Sequence, residues 1–425
     1  MRFALTCYGT RGDIEPSVAV GRELQRRGHE VRMGVPPDLV GFSEAAGLTT
    51  VTYGLDTEAW LERYRNFWTS FFGNFWKVQE LVGLWREYWE PVAQCWAEMS
   101  TTATALADGA DLLIASQSFQ EPAANVAEYY DIPLATLHNF PVRPNGQLVP
   151  ALPSTVVRSA MTALDWVFWR MNKKAEDDQR RELGLPKATS PSPTRIAERG
   201  SLEIQAYDEV CFPGLASEWA RWNGQRPFIG ALTMELTTDA DDVVASWIAA
   251  GTPPICFGFG SIAVESAAET VDMISAACAR LGERGLICAG GTDFSGVSIP
   301  DHVKVVGAVN YAAIFPLCRA VVHHGGAGTT AASMRAGVPT LVLSTGPDQT
   351  YWGVRVKRLK VGTARRFSGT TQDTLVADLH RVLAPQYVSR AREIATRMTK
   401  PAESVSNAAD LVEKFATCPE RAWQR

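Results

Sequence analysis

Along the chain, stretches of unbroken hydrophobicity alternate with stretches in which apolar residues recur every three or four positions. Residues 3–7 form the first continuous apolar run, the pattern of a strand buried on both faces. A polar, glycine-containing loop follows over residues 8–15. Pro16 then opens a segment whose apolar positions, Val18, Val20 and Leu24, share a helical face that ends at Gly28. Residues 31–35 return to the strand pattern and stop at Pro36-Pro37. Strand, helix and strand predict a βαβ unit, hence a parallel sheet and an α/β fold. Residues 111–115 and 133–137 continue the series.

Near residue 215 the periodicity breaks in a segment rich in Pro, Gly and Trp, followed by the polar, acidic run 237–242. Alternation then restarts, with strand-like runs at 255–259, 286–289, 303–306, 320–323, 340–344 and 361–364. The expected organisation is a first parallel-sheet domain over 1–215, a linker over 216–240, a second over 241–402, and a final amphipathic helix and tail over 403–425. Two cores also suit the length, because 425 residues exceed what one ordinary core serves.

One stretch has no such periodicity. Residues 60–99 are expected to be helical, yet their apolar residues cover more than one face, and six of the 13 tryptophans lie between Trp60 and Trp96. Such a segment is either buried on two sides or a wall for an apolar ligand. Trp68, Phe72, Phe75, Trp76 and Trp85 would line such a wall, together with His138. Residues 156–171 form a second apolar helical stretch that would face it.

Composition narrows the function classes. A net charge of −5 gives no reason to expect nucleic acid, and no run approaches the about 18 apolar residues of a membrane span. The N-terminal apolar run is too short for a signal peptide. Eight scattered cysteines without a CxxC pair read as small buried hydrophobes of a reducing cytosol. The expected location is therefore cytoplasmic, with contact at the inner face of the membrane left open. Oligomeric state is not legible.

The chemistry concentrates in residues 323–349. A strand ending at Val322 runs into His323 and His324, three glycines in four residues, and the small residues of a helix start. That arrangement points free N–H groups and the positive end of a helix dipole at an anion. The strand over 340–344 carries Asp348 and Gln349 to the same carboxyl edge, where open α/β sheets bind ligands. The same run satisfies the dinucleotide spelling GxGxxA, with Asp348 20 residues beyond Gly328. An NAD-dependent oxidoreductase therefore competes, although the paired histidines and an acid beyond the strand tip do not belong to that fingerprint. Two other features are secondary. Gly9-Thr10-Arg11-Gly12-Asp13 follows the first strand, so Asp13 is either a general base or the cap of the next helix. Gly258-Phe259-Gly260-Ser261 offers N–H groups and a hydroxyl to phosphate, whereas Asp239-Ala240-Asp241 reads as helix capping rather than a metal site.

Taken together, the run from His324 through Gly337-Val338-Pro339 to Asp348-Gln349 resembles the donor-binding signature of GT-B glycosyltransferases of family 1, HxGxxTxxxxxxxGVPxxxxPxxxDQ. The opening, from Tyr8 to Asp38, resembles the N-terminal signature of the actinobacterial antibiotic and sterol-type branch. The aromatic insert resembles that of mycobacterial glycopeptidolipid glycosyltransferases. The resemblance implies two Rossmann-like domains facing across a cleft, with the last helix crossing back, and an inverting, metal-independent transfer with no cofactor beyond the sugar nucleotide. It implies Asp13 as the base, with His324, Gly326, Ala327, Gly328 and Thr329 on the diphosphate, assisted by Ser261 and Arg11. Asp348 and Gln349 would read the donor sugar, and the backbone of Val309 the nucleobase. His323 would orient the loop. His138 and Asp165 are the next candidate bases should Asp13 not serve. The chain departs from the plant form at Ala327 and Ala332, which stand where that form has a tryptophan and a ribose-binding glutamate, so the ribose contact is unassigned. The expected donor is dTDP-linked rhamnose or 6-deoxytalose, and the expected acceptor a partly apolar molecule such as a glycopeptidolipid. A UDP- or dTDP-glucose donor with an antibiotic, polyketide or sterol acceptor is the alternative. An epimerase and a non-catalytic sugar-nucleotide sensor complete the competing readings.

Overall fold

The computed structural model describes residues 1–57, 78–149, 151–222, 224–258, 260 and 266–417. Among the described residues, twelve strands lie in two all-parallel sheets of six. The first is ordered β3-β2-β1-β4-β5-β6 and comprises β1 (Arg2–Thr6), β2 (Glu30–Val35), β3 (Thr49–Thr52), β4 (Leu112–Ser116), β5 (Leu134–His138) and β6 (Leu202–Gln205). The second is ordered β12-β11-β10-β7-β8-β9 and comprises β7 (Ile255–Gly258), β8 (Gly285–Cys288), β9 (Val303–Val306), β10 (Ala320–His323), β11 (Thr340–Ser344) and β12 (Gly362–Arg366). Both orders have the same doubly wound form. In each, the crossovers reverse beside the first strand, between β1 and β4 and between β7 and β10. Crevices at such switch points are where open α/β sheets hold ligands.

The central strands are hydrophobic on both faces because helices cover both sides of each sheet. Phe3, Leu5, Leu113, Ile114, Ile255, Phe257, Val322 and Leu341 are all fully buried. The predicted strands agree with the structure to within one residue at nearly every end; the last, expected over 361–364, runs from Gly362 to Arg366. Two strands went unpredicted. β3, Thr-Thr-Val-Thr, is a polar, partly exposed edge strand, and β6 carries the buried polar side chains Glu203 and Gln205. Their pattern contains little hydrophobicity to detect.

The first helix also begins earlier than its proline suggests. It spans Arg11–Arg26, with Pro16 inside it rather than in its first turn. The Asp13 carboxylate accepts from the Thr10 N–H (2.9 Å) and Thr10 Oγ1 (3.1 Å), which starts the helix at the glycine loop. The long aromatic segment is helical where described, over Val78–Ala107. Trp68, Phe72, Phe75 and Trp76 lie outside the described residues, as does the side chain of Trp85.

By contacts the chain divides into two units, Met1–Ala206 with Pro213–Leu232 and the C-terminal segment from Ala402, and Tyr207–Phe212 with Thr233–Pro401. The expected linker is thus shared: residues 216–232 pack in the first unit, including part of the short helix Leu215–Trp219, and 233–240 in the second. The final helix, Pro401–Thr417, crosses back to the first sheet as expected. Its anchor is Arg27, which bonds Asp410 (2.5 Å), Glu413 (2.6 Å) and Ser406 Oγ (3.0 Å) while holding Glu23 at 2.8 Å. His29 adds a 2.6 Å contact to Glu413. Seven described cysteines are free and buried; Cys418 lies outside the description. No helix among the described residues is long and apolar enough to cross a membrane.

Candidate functional site

The second unit gathers the predicted donor residues at one sheet edge. β10 ends at His323, whose fully buried ring accepts the Gly325 N–H at Nδ1 (2.9 Å). That bond sets the turn, and Gly325 completes it at φ +98°, a conformation open to glycine. A side chain there would also strike Val342 (2.8 Å) and the Gln349 carbonyl (2.9 Å), so the turn lies directly on the start of the helix Pro347–Leu359. Sequence reading paired these two segments, and the structure brings them into contact.

His324 occupies a slot between two glycines. A Cβ at Gly260 would come within 2.7 Å of its ring, and one at Gly326 within 2.6 Å of Nε2. The imidazole hydrogen-bonds the Gly258 backbone, while Nδ1 is buried with no hydrogen-bond partner among the described residues. Burial lowers the ring's pKa to about 4, the Gly258 carbonyl opposing it, so His324 is neutral at pH 7. His323 is lowered further, to about 3, by burial and by its neighbour. The helix Ala327–Arg335 follows, and its first intrahelical bond runs from Thr330 N–H to the Gly326 carbonyl (2.9 Å). The N–H groups of Ala327, Gly328 and Thr329 precede that bond and point out of the helix end. Three such donors at a helix end are suited to an anion, and the charge of a bound anion would raise the ring's pKa and let Nδ1 donate as well.

After β11, the Gln349 side-chain carbonyl accepts from Thr345 N–H (2.8 Å), Thr345 Oγ1 (3.0 Å) and Gly346 N–H (3.0 Å). These bonds cap the helix Pro347–Leu359 and fix the amide, leaving its NH2 as the group able to donate to a ligand. Asp348, one position earlier, is exposed. Acceptor and donor therefore sit side by side, immediately against the glycine turn.

Val309 is buried after β9, in the cluster that includes Ile314 and Phe315. Its neighbour Asn310 donates its N–H to Asp241 (2.8 Å), which also accepts from Thr238 N–H (2.8 Å) and Thr238 Oγ1 (2.9 Å). Although desolvation opposes it, these bonds hold the Asp241 pKa below the usual carboxylate value. The DxD-like triplet thus caps the helix Asp241–Ala249 and ties down the Val309 loop. Ser261 lies outside the described residues.

In the first unit, Asp13 sits at the switch point between β1 and β4. Gly9, at φ +130°, leaves no room for a side chain, since its Cβ would fall 2.5 Å from Asp13 Oδ2. The capping reading of Asp13 is the one the structure shows: Oδ2 caps the helix, and the half-buried carboxylate stands at the carboxyl edge. Arg11 stacks over Phe42 (4.7 Å) and approaches Glu15 (3.8 Å), with half its side chain exposed. His138 ends β5 wholly buried, with Gln205 Nε2 3.3 Å from its Nδ1 and no partner to Nε2 among the described residues. Burial, with Arg143 and Arg226 nearby, pushes its pKa well below the usual histidine value. Asp165 is half-buried, and desolvation raises its carboxyl to about 6 against the pull of Arg143.

The loop after β4 carries no motif and was missed by sequence. Ser116 Oγ accepts the Tyr8 N–H (3.3 Å), Gln117 accepts the Asn139 N–H (2.8 Å), and Phe119 packs edge-on to Tyr8 at 5.3 Å. Phe119 holds a left-handed φ of +52°, an uncommon cost for an aromatic residue at a site edge.

Comparison with known proteins agrees with this layout. Residues 3–143 match the glycosyltransferase family 28 N-terminal domain, and residues 286–415 the erythromycin biosynthesis protein CIII-like C-terminal domain. An uncharacterised glycosyltransferase of Mycobacterium tuberculosis is 60% identical over 419 residues, 98% of this chain and 99% of the relative. Among solved structures, the spinosyn rhamnosyltransferase has a TM-score of 0.67 at 17% identity, covering 97% of this chain and 100% of that one. The glycosyltransferase VinC in complex with dTDP has a TM-score of 0.65 at 19% identity, with the same coverage. At such identities the structures speak for the fold; the family rests on the sequence matches. Spanning nearly its whole length, they place the chain among the GT-B glycosyltransferases of family 1.

Proposed function

We propose that the enzyme is an inverting, metal-independent glycosyltransferase that moves a 6-deoxyhexose such as rhamnose or 6-deoxytalose from a dTDP-sugar to a hydroxyl of a partly apolar acceptor, such as a glycopeptidolipid. The observation that carries this reading is the turn over residues 323–329, where a buried imidazole nitrogen without a partner among the described residues is followed directly by a helix whose first three N–H groups are open. In the transfer, the Asp13 carboxylate takes the acceptor's hydroxyl proton as that oxygen attacks the anomeric carbon. The bond from that carbon to the diphosphate breaks on the opposite side, inverting the centre. The leaving diphosphate gathers negative charge, which the N–H groups of Ala327, Gly328 and Thr329 stabilise together with His324, whose ring that charge draws into the protonated, donating form.

Asp348 accepts from the donor sugar's hydroxyls, and the Gln349 amide, held by its cap bonds, donates to them. The Val309 backbone meets the nucleobase. No carboxylate pair is left over in the DxD-like triplet for a metal, because Asp241 already accepts three hydrogen bonds. The dTDP and rhamnosyl chemistry named for two structural neighbours favours a dTDP-linked deoxyhexose over UDP-glucose. Calorimetric titration with dTDP, UDP and NAD tests the reading: dTDP should bind most tightly and NAD not at all. Binding of NAD without either diphosphate would assign the turn to a dinucleotide.

A further inference from the structure

We propose that the outer face of the helix Ser154–Glu182 docks the protein on an anionic lipid surface. Three of the large hydrophobic side chains exposed among the described residues lie on this one short stretch: Leu152 (52%), Val156 (52%) and Trp166 (53%). The opposite face accounts for the helix's own packing. Val157 is buried, Met161 touches Asn145 (3.7 Å), Arg158 bonds Glu218 (2.6 Å), and Gln179 meets Trp96 and Asn125 (both 2.8 Å). The helix is therefore held from within its own unit, and among the described residues nothing covers its apolar outer stripe.

That stripe is graded along its length. From the N-terminal end it presents Leu152, Val156, Ala160 and Ala163, then Trp166, then the exposed cations Arg170 and Lys174. Helical spacing puts Val156, Ala163, Trp166, Arg170 and Lys174 within one side, over about 27 Å at 1.5 Å per residue. Aliphatic, tryptophan and cation follow the order of depth in a bilayer leaflet, from acyl chain through interface to phosphate. The Arg170 guanidinium lies 5.8 Å from the Trp166 ring, joining the last two tiers. Charge supports the same partner. Arg158 and Lys173 are paired with Glu218 (2.6 Å) and Asp177 (2.9 Å), so the charge offered outward is that of Arg170 and Lys174, beside the apolar stripe and in a chain of net charge −5. Asp165 belongs to the inner face, one turn from Met161. A docked helix would enter tilted, its N-terminal end deepest. This inference does not depend on the transfer reaction.

Sedimentation with vesicles of phosphatidylcholine alone, and of phosphatidylcholine mixed with phosphatidylglycerol, tests it on the full chain. The protein should pellet with the mixed vesicles and much less with the neutral ones. Each cation near an anionic surface contributes a factor of about five, so the Arg170→Gln, Lys174→Gln pair should weaken binding about 25-fold. Val156→Ser with Trp166→Ser should abolish it. All four side chains are outward-facing, so thermal melts should match the wild type; a lowered melting temperature would mean the face packs internally and would overturn the proposal. A wild type that stays in the supernatant, or variants that bind as it does, would also overturn it. So would light scattering showing that the face instead joins two copies, with the dimer lost in the variants.

Discussion

Substituting Gly326 by alanine isolates the fit of His324 from the backbone around it. Gly326 has φ −60° and ψ 146°, which alanine adopts freely, and by restricting the unfolded chain the substitution alone should stabilise by about 0.4–1 kcal/mol. The added methyl, however, would lie 2.6 Å from His324 Nε2. The ring must turn off its rotamer, costing about 0.5–1.5 kcal/mol. It also gives up the Gly258 hydrogen bond, a further loss of about 1 kcal/mol. Stability should thus fall only about 1 kcal/mol, a few degrees in Tm. The nucleotide should feel far more. A hydrogen bond to a charged group contributes about 1.5–3 kcal/mol, so losing the imidazole's place should weaken dTDP binding about 10- to 100-fold. The assay is calorimetric titration of dTDP against Gly326→Ala, His324→Ala and the double variant, with melts alongside. Because the methyl acts through the ring, the double variant should bind no worse than His324→Ala. Wild-type binding by Gly326→Ala, or losses that multiply in the double variant, would refute the reasoning.

Asp13→Asn keeps a carbonyl to accept from Thr10 N–H, so the helix cap should persist; kcat should fall at least about 100-fold with dTDP affinity unchanged, and a wild-type kcat would move the base to His138 or Asp165. Arg27→Ala removes the anchor of the helix Pro401–Thr417 and strands Glu413 and Asp410, so amide exchange across residues 401–417 should quicken by about one order of magnitude, with little change in β7–β12. His323 and His324 titrate near 3 and 4 when folded and near 6.5 when unfolded, so the unfolded chain takes up protons first as the pH falls. Their contribution is complete above pH 6.5 and is lost progressively toward pH 4; urea melts of His323→Gln should show a shallower loss across that window.

Much of this fold was legible because its strands are buried on both faces. Residues such as Phe3, Leu5, Ile255 and Val322 announce themselves as continuous apolar runs, and Gly-rich turns punctuate them. β3 and β6 were silent because an edge strand of threonines and a strand holding Glu203 within an Arg143–Arg226 cluster lack that signal. The start of the first helix was misplaced because Pro16 outweighed the cap bonds of Asp13, which are invisible until the loop closes. In the site, the contact between the glycine turn and Gln349 followed from both lying past adjacent strands. By contrast, the slot around His324 depends on Gly260, from a different strand, and the Ser116–Phe119 loop depends on sheet order; neither leaves a local pattern. Gln349 shows how a residue picked out by its motif also serves the fold, its side-chain carbonyl capping a helix.

The central claim is sugar transfer from a nucleoside diphosphate, and a single reaction followed by mass spectrometry addresses it. Wild-type enzyme with dTDP-rhamnose or dTDP-6-deoxytalose and a lipopeptide acceptor, without added metal, should release dTDP and yield acceptor heavier by one deoxyhexose, with its anomeric configuration inverted. Donor converted in the absence of acceptor, or acceptor unchanged while dTDP binds, would contradict the account.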